Sequence, residues 1–171
     1  MARYGASILS QAAQLSGAPS GTTVNGYMGY WGAGSSAGFR LRRMQIGVIA
    51  GASVPTSQQI SVGVFRQTVA PAGTGIASAI PGQAMEIWTP TDPTAGLFAI
   101  TATTIGTTGP TIATNPITVL PLNTQSTLDL PYEFVEELIC NSGTANGFAF
   151  VNIGNTLPAS HQIRLSVEIE V

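Results

Sequence analysis

The clearest alternation of apolar and polar positions lies at the end of the chain. The apolar positions are Ile163, Leu165, Val167, Ile169 and Val171. The polar positions between them are Gln162, Arg164, Ser166, Glu168 and Glu170. Strict period two predicts a β-strand with one buried and one solvated face. A shift of one residue would bury every polar group, so the pattern also fixes the strand's register.

A second strong strand is predicted over residues 39–50, and its alternation changes phase partway along. Phe39 and Leu41 share one parity, whereas the apolar residues from Met44 onward share the other. The extra residue falls at Arg42–Arg43. One inserted residue that reverses the side-chain parity is what a β-bulge produces, so we predict a bulge at these two arginines.

The rest of the pattern consists of shorter β-like runs separated by loops rich in Gly, Pro and Thr. These runs cover residues 22–31, 59–69, 97–103, 117–120, 126–130 and 147–153, with residues 71–75 and 106–110 as turns and 76–95 irregular. Residues 134–140 fit either a strand or a helical turn. The pattern predicts an all-β fold, a single jelly-roll-like β-sandwich. An immunoglobulin-like sandwich is the second choice, because the core cysteine pair is missing.

The start of the chain differs from the remainder and divides it into two parts. Ala6 to Leu15 could form one or two helical turns, which Gly17, Pro19 and Gly21 would end. A helix this short is marginal in water and needs a surface to dock on. We therefore predict an N-terminal arm over residues 1–20 and a β-sandwich domain over residues 21–171.

Charge is the unusual feature of the composition. Only 8% of the 171 residues are charged, none is lysine, and the net charge is −2. Such a chain lacks the basic surface of a sequence-independent nucleic-acid binder. No apolar run is long enough to span a bilayer, and the N-terminal residues do not predict a secretory signal. Lysine often protects exposed strand edges. We therefore expect neighbouring subunits to cover much of the surface, the alternative being an ordinary uncharged polar surface.

The residues offer little support for catalysis. His161 is the only histidine and has no second histidine or cysteine as a partner, so we expect a rim residue without a catalytic role. The run Gly32-x-Gly34-x-x-Ala37 leads into a strand rather than a helix, which argues against a dinucleotide site. We predict no catalytic, cofactor-binding or metal-binding residues. A carboxylate-based hydrolase with two acids in one groove is the enzymatic alternative.

Two further residue types have competing interpretations. Cys140 follows Leu138 and Ile139, and it is most simply a small buried residue. Four aromatic residues could build a sugar-stacking platform, although core or subunit contacts are their commoner use. These aromatic residues are Tyr27, Tyr30, Trp31 and Trp88.

Arginines form the only basic cluster of the chain. Arg40, Arg42 and Arg43 can form bidentate ion pairs with a protein partner, or they can be solvated residues at a bulge. Three arginines are too few for tight binding to a phosphate backbone. The predicted partner contacts combine this cluster with the N-terminal arm. They are Arg3, Tyr4, Ile8, Leu9, Leu15, Arg40, Arg42 and Arg43.

The order of strands and turns over residues 37–171 resembles the small jelly-roll virion proteins of tailed bacteriophages that decorate or cement the head. The resemblance rests on residues 39–44, 64–68, 71–75, 147–152, 157–159 and 165–171. It covers no catalytic signature, and residues 1–36 lie outside it. It implies a virion structural protein, made in the host cytoplasm, that decorates or cements a capsid or serves as a minor capsid subunit.

The resemblance also implies the partners. We expect a homo-oligomer, with a trimer as the favoured form, bound to a major capsid protein or to neighbouring virion subunits. Cofactors, nucleic acid and membranes are not expected among the partners. The alternative function is a carbohydrate- or receptor-binding β-sandwich module of a phage fibre or surface structure.

Overall fold

The computed structural model describes most of the predicted β-domain. The described residues are 3–9, 27–32, 38–50, 56–69, 76–77, 80–84, 86–87, 98–101, 104–105, 111–131, 138–143, 145–158 and 160–171. Within these ranges the regular structure consists of strands, and no helix is present. Accordingly, the described residues include no helix that could cross a membrane.

Fifteen strands follow one another along the chain. They are β1 (Arg3–Leu9), β2 (Tyr27–Gly32), β3 (Phe39–Ile49), β4 (Gln59–Val69), β5 (Ile76–Ala77), β6 (Ile80–Ala84), β7 (Glu86–Ile87) and β8 (Phe98–Thr101). The remainder are β9 (Thr104–Ile105), β10 (Thr111–Ile112), β11 (Thr118–Asn123), β12 (Leu128–Pro131), β13 (Leu138–Cys140), β14 (Gly147–Asn152) and β15 (Gln162–Glu170).

Two antiparallel sheets contain nearly all of these strands. In the first sheet the order is β12–β3–β15–β1–β7, and β13 also pairs with β3. In the second sheet the order is β10–β4–β14–β2–β8–β6, and β11 also pairs with β4. β5 and β9 form a separate pair. The prediction of an all-β chain is confirmed.

β15 confirms the period-two prediction along most of its length. Ile163, Leu165 and Ile169 are fully buried, whereas Arg164 on the opposite face is exposed. The prediction is wrong for Val171, which follows the strand and is 39% exposed. The pairing of β15 with β1 and β3 ends at Glu170, so Val171 has no strand neighbour to pack against.

One apolar core draws residues from both sheets. The first sheet contributes Tyr4, Phe39, Leu41, Met44, Ile46, Cys140, Ile163, Leu165, Val167 and Ile169. The second sheet contributes Ile60, Val62, Val64, Leu120, Leu122, Phe148 and Phe150. The rings of Phe39 and Phe148 meet edge to face across the core with centroids 5.7 Å apart. Such a contact adds to the area term of burial.

Arg66 closes one end of this core. Its guanidinium carbon lies 5.2 Å from the centroid of the Phe148 ring, and its Nη1 donates to the carbonyl oxygen of Ile139, 2.9 Å away. Arg66 therefore joins β4 of the second sheet to β13 of the first.

The two sheets differ in charge on the faces that point away from the core. Nine of the fourteen charged residues lie on strands of the first sheet: Arg3, Arg40, Arg42, Arg43, Glu86, Asp129, Arg164, Glu168 and Glu170. Arg66 is the single charged residue on the strands described for the second sheet. β14 is buried along its whole length, so Ala149 and Val151 are inaccessible although they alternate with the core residues Phe148 and Phe150.

The start of the chain forms a strand instead of the expected helical turns. Each residue of β1 pairs with β15, and Tyr4 and Gly5 also pair with β7. Sheet pairing satisfies the backbone groups that an isolated short helix would leave marginal in water. The helical prediction is therefore wrong over residues 6–9. Residues 10–20 lie outside the described ranges, and the domain boundary at residues 20–21 stays a prediction.

Strand boundaries differ from the sequence expectations where prolines occur. β11 continues through Pro121, although the sequence suggested a break there. Short strands β5, β6 and β7 lie within the stretch expected to be irregular. Residues 138–140 are strand, which selects the first of the two alternatives for that part of the segment. The turns expected at 71–75 and 106–110 lie outside the described residues.

Candidate partner-contact site

A groove on the outer face of the first sheet collects six charged side chains. The charged groove has a volume of about 370 Å³ and is lined by Arg3, Arg42, Arg43, Asp129, Pro131, Glu168 and Glu170. Four strands supply these residues: β1, β3, β12 and β15. The groove therefore holds six of the chain's fourteen charged residues in an otherwise charge-poor protein.

The bulge predicted at Arg42–Arg43 is confirmed, and it shapes this groove. Glu168 is opposite Arg43 whereas Ile169 is opposite Leu41, so Arg42 is the extra residue of β3. Two consecutive arginines consequently lie between the buried residues Leu41 and Met44. An unbroken strand would have directed one of the two into the core, because successive side chains point to opposite faces.

Arg42 forms the more buried of the two ion pairs in the groove. Its guanidinium contacts the carboxylate of Glu170 through Nε and Nη2. The side chains of Arg42 and Glu170 are 11% and 9% exposed. A charge withdrawn this far from water needs an opposite charge with good hydrogen-bond geometry, and each residue supplies it to the other.

Arg43 forms a bidentate ion pair with Asp129 at the groove's rim. Arg43 Nε lies 2.8 Å from Asp129 Oδ1, and Arg43 Nη2 lies 2.5 Å from Oδ2. Hydrogen bonding to the Arg43 guanidinium lowers the pKa of the Asp129 carboxyl. The same hydrogen bond, together with charge attraction, raises the pKa of Arg43. Both side chains remain more than two-fifths exposed, so this pair is accessible to a partner.

Glu168 and Arg3 complete the groove. Glu168 is opposite Arg43 on the neighbouring strand, and its charge contributes to the raised pKa of Arg43. Arg3 is exposed and its backbone is opposite Glu170. The groove therefore presents both signs of charge on adjacent strands, an arrangement suited to bidentate contacts with another protein's charged side chains.

The carboxylates of the groove have the electrostatics of ion pairs. Asp129 has a lowered pKa and Glu170 is held by Arg42. A glycosidase acid needs the opposite, a carboxyl whose pKa is raised so that it can give up a proton at neutral pH. The groove's chemistry is thus that of charge recognition.

The structure places the predicted contact residues unevenly. It brings Arg3, Arg42 and Arg43 together in the groove. Arg40 is exposed on β3 but does not line the groove. Tyr4 requires a correction, because its side chain is 1% exposed and packs in the core. Its position opposite Ile169 directs it to the buried face.

The other predicted contacts lie at the limits of what is described. The backbones of Ile8 and Leu9 pair with Leu165 and Arg164 in the sheet, and their side chains lie outside the described part. Leu15 lies outside the described residues altogether. Their roles as partner contacts stay predictions.

Sequence reasoning missed four residues of the groove: Asp129, Pro131, Glu168 and Glu170. Glu168 and Glu170 were recognised as the polar face of a strand but were not linked to the arginines. The bulge was the available signal, since it fixes which residues of β15 face Arg42 and Arg43. Asp129 needed the pairing of β12 with β3, which no pattern within the sequence predicts.

His161 is also placed differently from the expectation. It was predicted to lie at the rim, whereas its side chain is 1% exposed. The inward phase of β15 continues back to this position, and Nε2 of His161 accepts a 3.4 Å hydrogen bond from the backbone N–H of Thr56.

Cys140 agrees with the prediction of a buried thiol. It packs in the core, and burial raises its pKa to about 11 against the opposing effect of the Arg66 charge. A thiol with such a pKa is protonated at neutral pH and is a poor nucleophile.

The aromatic alternative cannot be assembled from the described side chains. Tyr27, Tyr30 and Trp31 belong to β2, whose backbone alone is described, and Trp88 lies outside the described residues. Within the described ranges, no group of three or more His, Cys, Asp or Glu residues is arranged to hold a metal ion.

The outer strands of the sheets carry prolines where lysines are absent. β11 contains Pro121, β12 ends at Pro131, and β6 contains Pro81. The backbone N–H of Thr124 donates to Gln58, so the alternation of an antiparallel ladder directs the Pro121 nitrogen away from β4. Proline lacks an N–H there and so weakens pairing with an additional strand.

Comparisons with known proteins give no relative for this chain. No protein-family model, curated protein or solved structure matches it.

Proposed function

We propose that this chain is a virion structural protein, a capsid decoration or cement protein or a minor capsid subunit, that binds its neighbours through protein–protein contacts. The charged groove is the contact surface, with Arg3, Arg42 and Arg43 as its basic side chains. In this proposal the chain performs no catalysis and needs no cofactor. It is made in the host cytoplasm and resides in the virion.

The observation that carries the proposal is the concentration of charge on one face. Six charged residues line one groove, while the described strands of the second sheet carry Arg66 alone. Charges contribute orientation and partner choice at protein interfaces, because like charges brought together are costly. A protein with few charges that places them in one groove has a directional recognition surface there.

The protected edges favour contacts through faces. Pro121 and Pro131 lie on outer strands and make the addition of a neighbour's strand unfavourable. A bidentate pair such as Arg43–Asp129 on the first sheet's outer face can instead exchange or share its hydrogen bonds with a partner's charged side chains.

The pairing order supports a jelly-roll-like sandwich as the proposed fold. β3 pairs with β15 and β4 pairs with β14, so an early pair of strands nests with the last pair, one in each sheet. β1 and β2 occupy the next positions in the two sheets. This is a departure from a simple roll, because those positions are taken by the chain's first strands.

The proposed assembly is a homo-oligomer, with a trimer as the favoured form, seated on a major capsid protein or on neighbouring virion subunits. Trimeric contacts would be heterologous, joining different patches of successive subunits in a closed ring. A groove with both signs of charge is compatible with such a contact, since one subunit can offer an arginine where the next offers a carboxylate.

A charge-exchange experiment tests the groove's role. The tagged chain is incubated with particles of the encoding phage that lack it, and bound protein is measured after sedimentation. Arg43→Glu should abolish binding. The double variant R43E/D129R should restore the internal ion pair and the stability of the domain but should not restore binding, because the charges presented to the partner remain reversed. Full binding by the double variant would contradict a recognition role for this surface. Arg164→Glu, on the same sheet but outside the groove, is the control and should bind normally.

A further inference from the structure

The connection between β13 and β14 contains a chemically reactive dipeptide held in a defined geometry. Asn146 directly precedes Gly147, the first residue of β14. The nitrogen of the following residue can attack the carbonyl carbon of an asparagine side chain, and a glycine opposes this least because it has no Cβ. Asparagine is one of the residues that make proteins thermally labile.

Three contacts hold this dipeptide in place. Asn146 Nδ2 donates to the backbone oxygen of Ser142, 2.9 Å away, and the backbone N–H of Asn146 donates to the oxygen of Gly143, also 2.9 Å away. Gly147 is buried and pairs with Gln67 of β4 on one side and with Gly32 of β2 on the other. The attacking nitrogen and the side chain it must reach are therefore both restrained.

We propose that Asn146–Gly147 is a site of spontaneous deamidation, and that opening of the turn over residues 141–146 controls its rate in the folded protein. The backbone nitrogen of Gly147 forms a bond to Cγ of Asn146 and loses its proton, while the side-chain amide leaves as ammonia. The resulting succinimide adds one water molecule and opens to aspartate or isoaspartate. The reaction needs no oxidant, reductant or enzyme.

The product changes the hairpin in two ways. A carboxylate in place of the amide has no N–H to donate, so the bond to Ser142 is lost and the new charge lies beside a carbonyl oxygen. The isoaspartyl product also lengthens the main chain immediately before β14, the strand that is buried along its whole length between β4 and β2. Deamidation at this site is therefore a covalent ageing event that weakens the second sheet, and it is independent of the function proposed above.

The turn contains a residue that allows its opening to be tested. Gly143 has φ of 117°, a conformation that L side chains rarely adopt, and a Cβ there would lie 3.3 Å from Asn146 Nδ2. Gly143→Ala should strain the turn and loosen Asn146. Ser142→Ala is the matched control, because Ser142 contributes its backbone oxygen and that atom is retained.

The experiment follows deamidation by site-resolved peptide mass spectrometry of the full-length chain at mildly alkaline pH, folded and in urea. We expect Asn146 to deamidate at least about tenfold more slowly in the folded chain than in urea, since exchange through local opening is suppressed by the opening equilibrium. Gly143→Ala should accelerate the folded-state reaction and leave the rate in urea unchanged, whereas Ser142→Ala should alter neither.

Either of two results would overturn the proposal. One is an intact Asn146 in urea after Asn25, the other asparagine followed by glycine, has reacted. The other is an equal rate in the folded and unfolded chain, which would show that the turn does not control the reaction. Separate peptides distinguish Asn146 from Asn25 and from Asn141, which precedes Ser142 and serves as the slow internal reference.

Discussion

Arg42 and Glu170 form a largely buried ion pair although 128 residues separate them in the sequence. The bulge in β3 makes Arg42 the extra residue of the strand and directs it to the last residue of β15. Removing one partner should leave a charge with little access to water. We expect Glu170→Gln to lower the free energy of unfolding by about 3 kcal/mol, the lower end for a buried pair. Urea titration measures this change.

A double variant separates the contribution of the charges from that of packing. Arg42→Met combined with Glu170→Leu should recover most of the lost stability, because replacing both charges with apolar groups removes the desolvation penalty. Arg43→Met, which breaks the exposed pair instead, should change stability little. An Arg43 variant as unstable as Glu170→Gln would show that the burial of the two pairs does not determine their importance.

The Arg43–Asp129 pair should respond to acid in a predictable direction. Because Arg43 lowers the pKa of Asp129 below its ordinary value of 3.8, the pair contributes stability above that value. The contribution is lost as the pH falls through the lowered pKa of the folded state. Titration of the Asp129 carboxyl by NMR should show the lowered pKa, and Arg43→Gln should return it toward 3.8. The same pKa in both proteins would contradict the ion pair.

Cys140 should be unreactive in the folded protein. Its pKa of about 11 leaves almost no thiolate at neutral pH, and its side chain is buried. A disulfide reagent should therefore modify the native chain far more slowly than the chain in urea. The folded state holds the thiol proton more tightly than the unfolded state, whose ordinary pKa is 9.0, so Cys140 should reduce stability as the pH rises above about 9. Rapid modification of the native thiol would contradict its burial.

Two glycines of the first sheet should respond oppositely to the same substitution. A Cβ at Gly38 would overlap the carbonyl oxygen of Cys140 and lie 2.8 Å from the nitrogen of Ser142, both of them backbone atoms. Gly38→Ala should therefore destabilise the fold by about 1–3 kcal/mol, as overpacking does. Gly47→Ala meets its nearest atom, Thr127 Oγ1, at 3.6 Å, an ordinary contact. It should stabilise β3 by roughly 0.5–1 kcal/mol, because glycine is unfavourable within a strand. Thermal melting of both variants checks the contrast.

Pro121 should limit self-association through the edge of the second sheet. Pro121→Val restores a backbone N–H on the side of β11 that faces away from β4, next to the exposed side chain of Val119. Sedimentation velocity should then detect concentration-dependent association that the natural chain lacks. Pro116→Val is the matched control, because Pro116 lies outside the strands. Equal behaviour of all three proteins would mean that the proline does not protect this edge.

The sequence predicted features that depend on local alternation. The inward face of β15 from Ile163 to Ile169 and the bulge at Arg42–Arg43 both follow from the parity of apolar residues, and both are present. Parity determines which face a residue occupies, so it also indicated that Glu168 and Glu170 lie away from the core. It did not reveal how far a residue is covered on that outer face, and Glu170 is only 7% exposed.

Features that depend on long-range pairing were not predictable from local patterns. Residues 6–9 had an acceptable helical pattern, but pairing with β15 makes them a strand. Asp129 joined the groove because β12 pairs with β3, which brings residues 86 positions apart into contact. The absence of lysine suggested that neighbours must cover the sheet edges, whereas Pro121 and Pro131 provide protection within the chain itself.

The most direct test of the proposed structural role is quantitative peptide mass spectrometry of highly purified phage particles. If the chain is a decoration, cement or minor capsid subunit, its peptides should occur at a fixed ratio to those of the major capsid protein through successive purification steps. If its peptides remain in the soluble fraction of the lysate and disappear from the particles as purification proceeds, the chain is not a component of the virion.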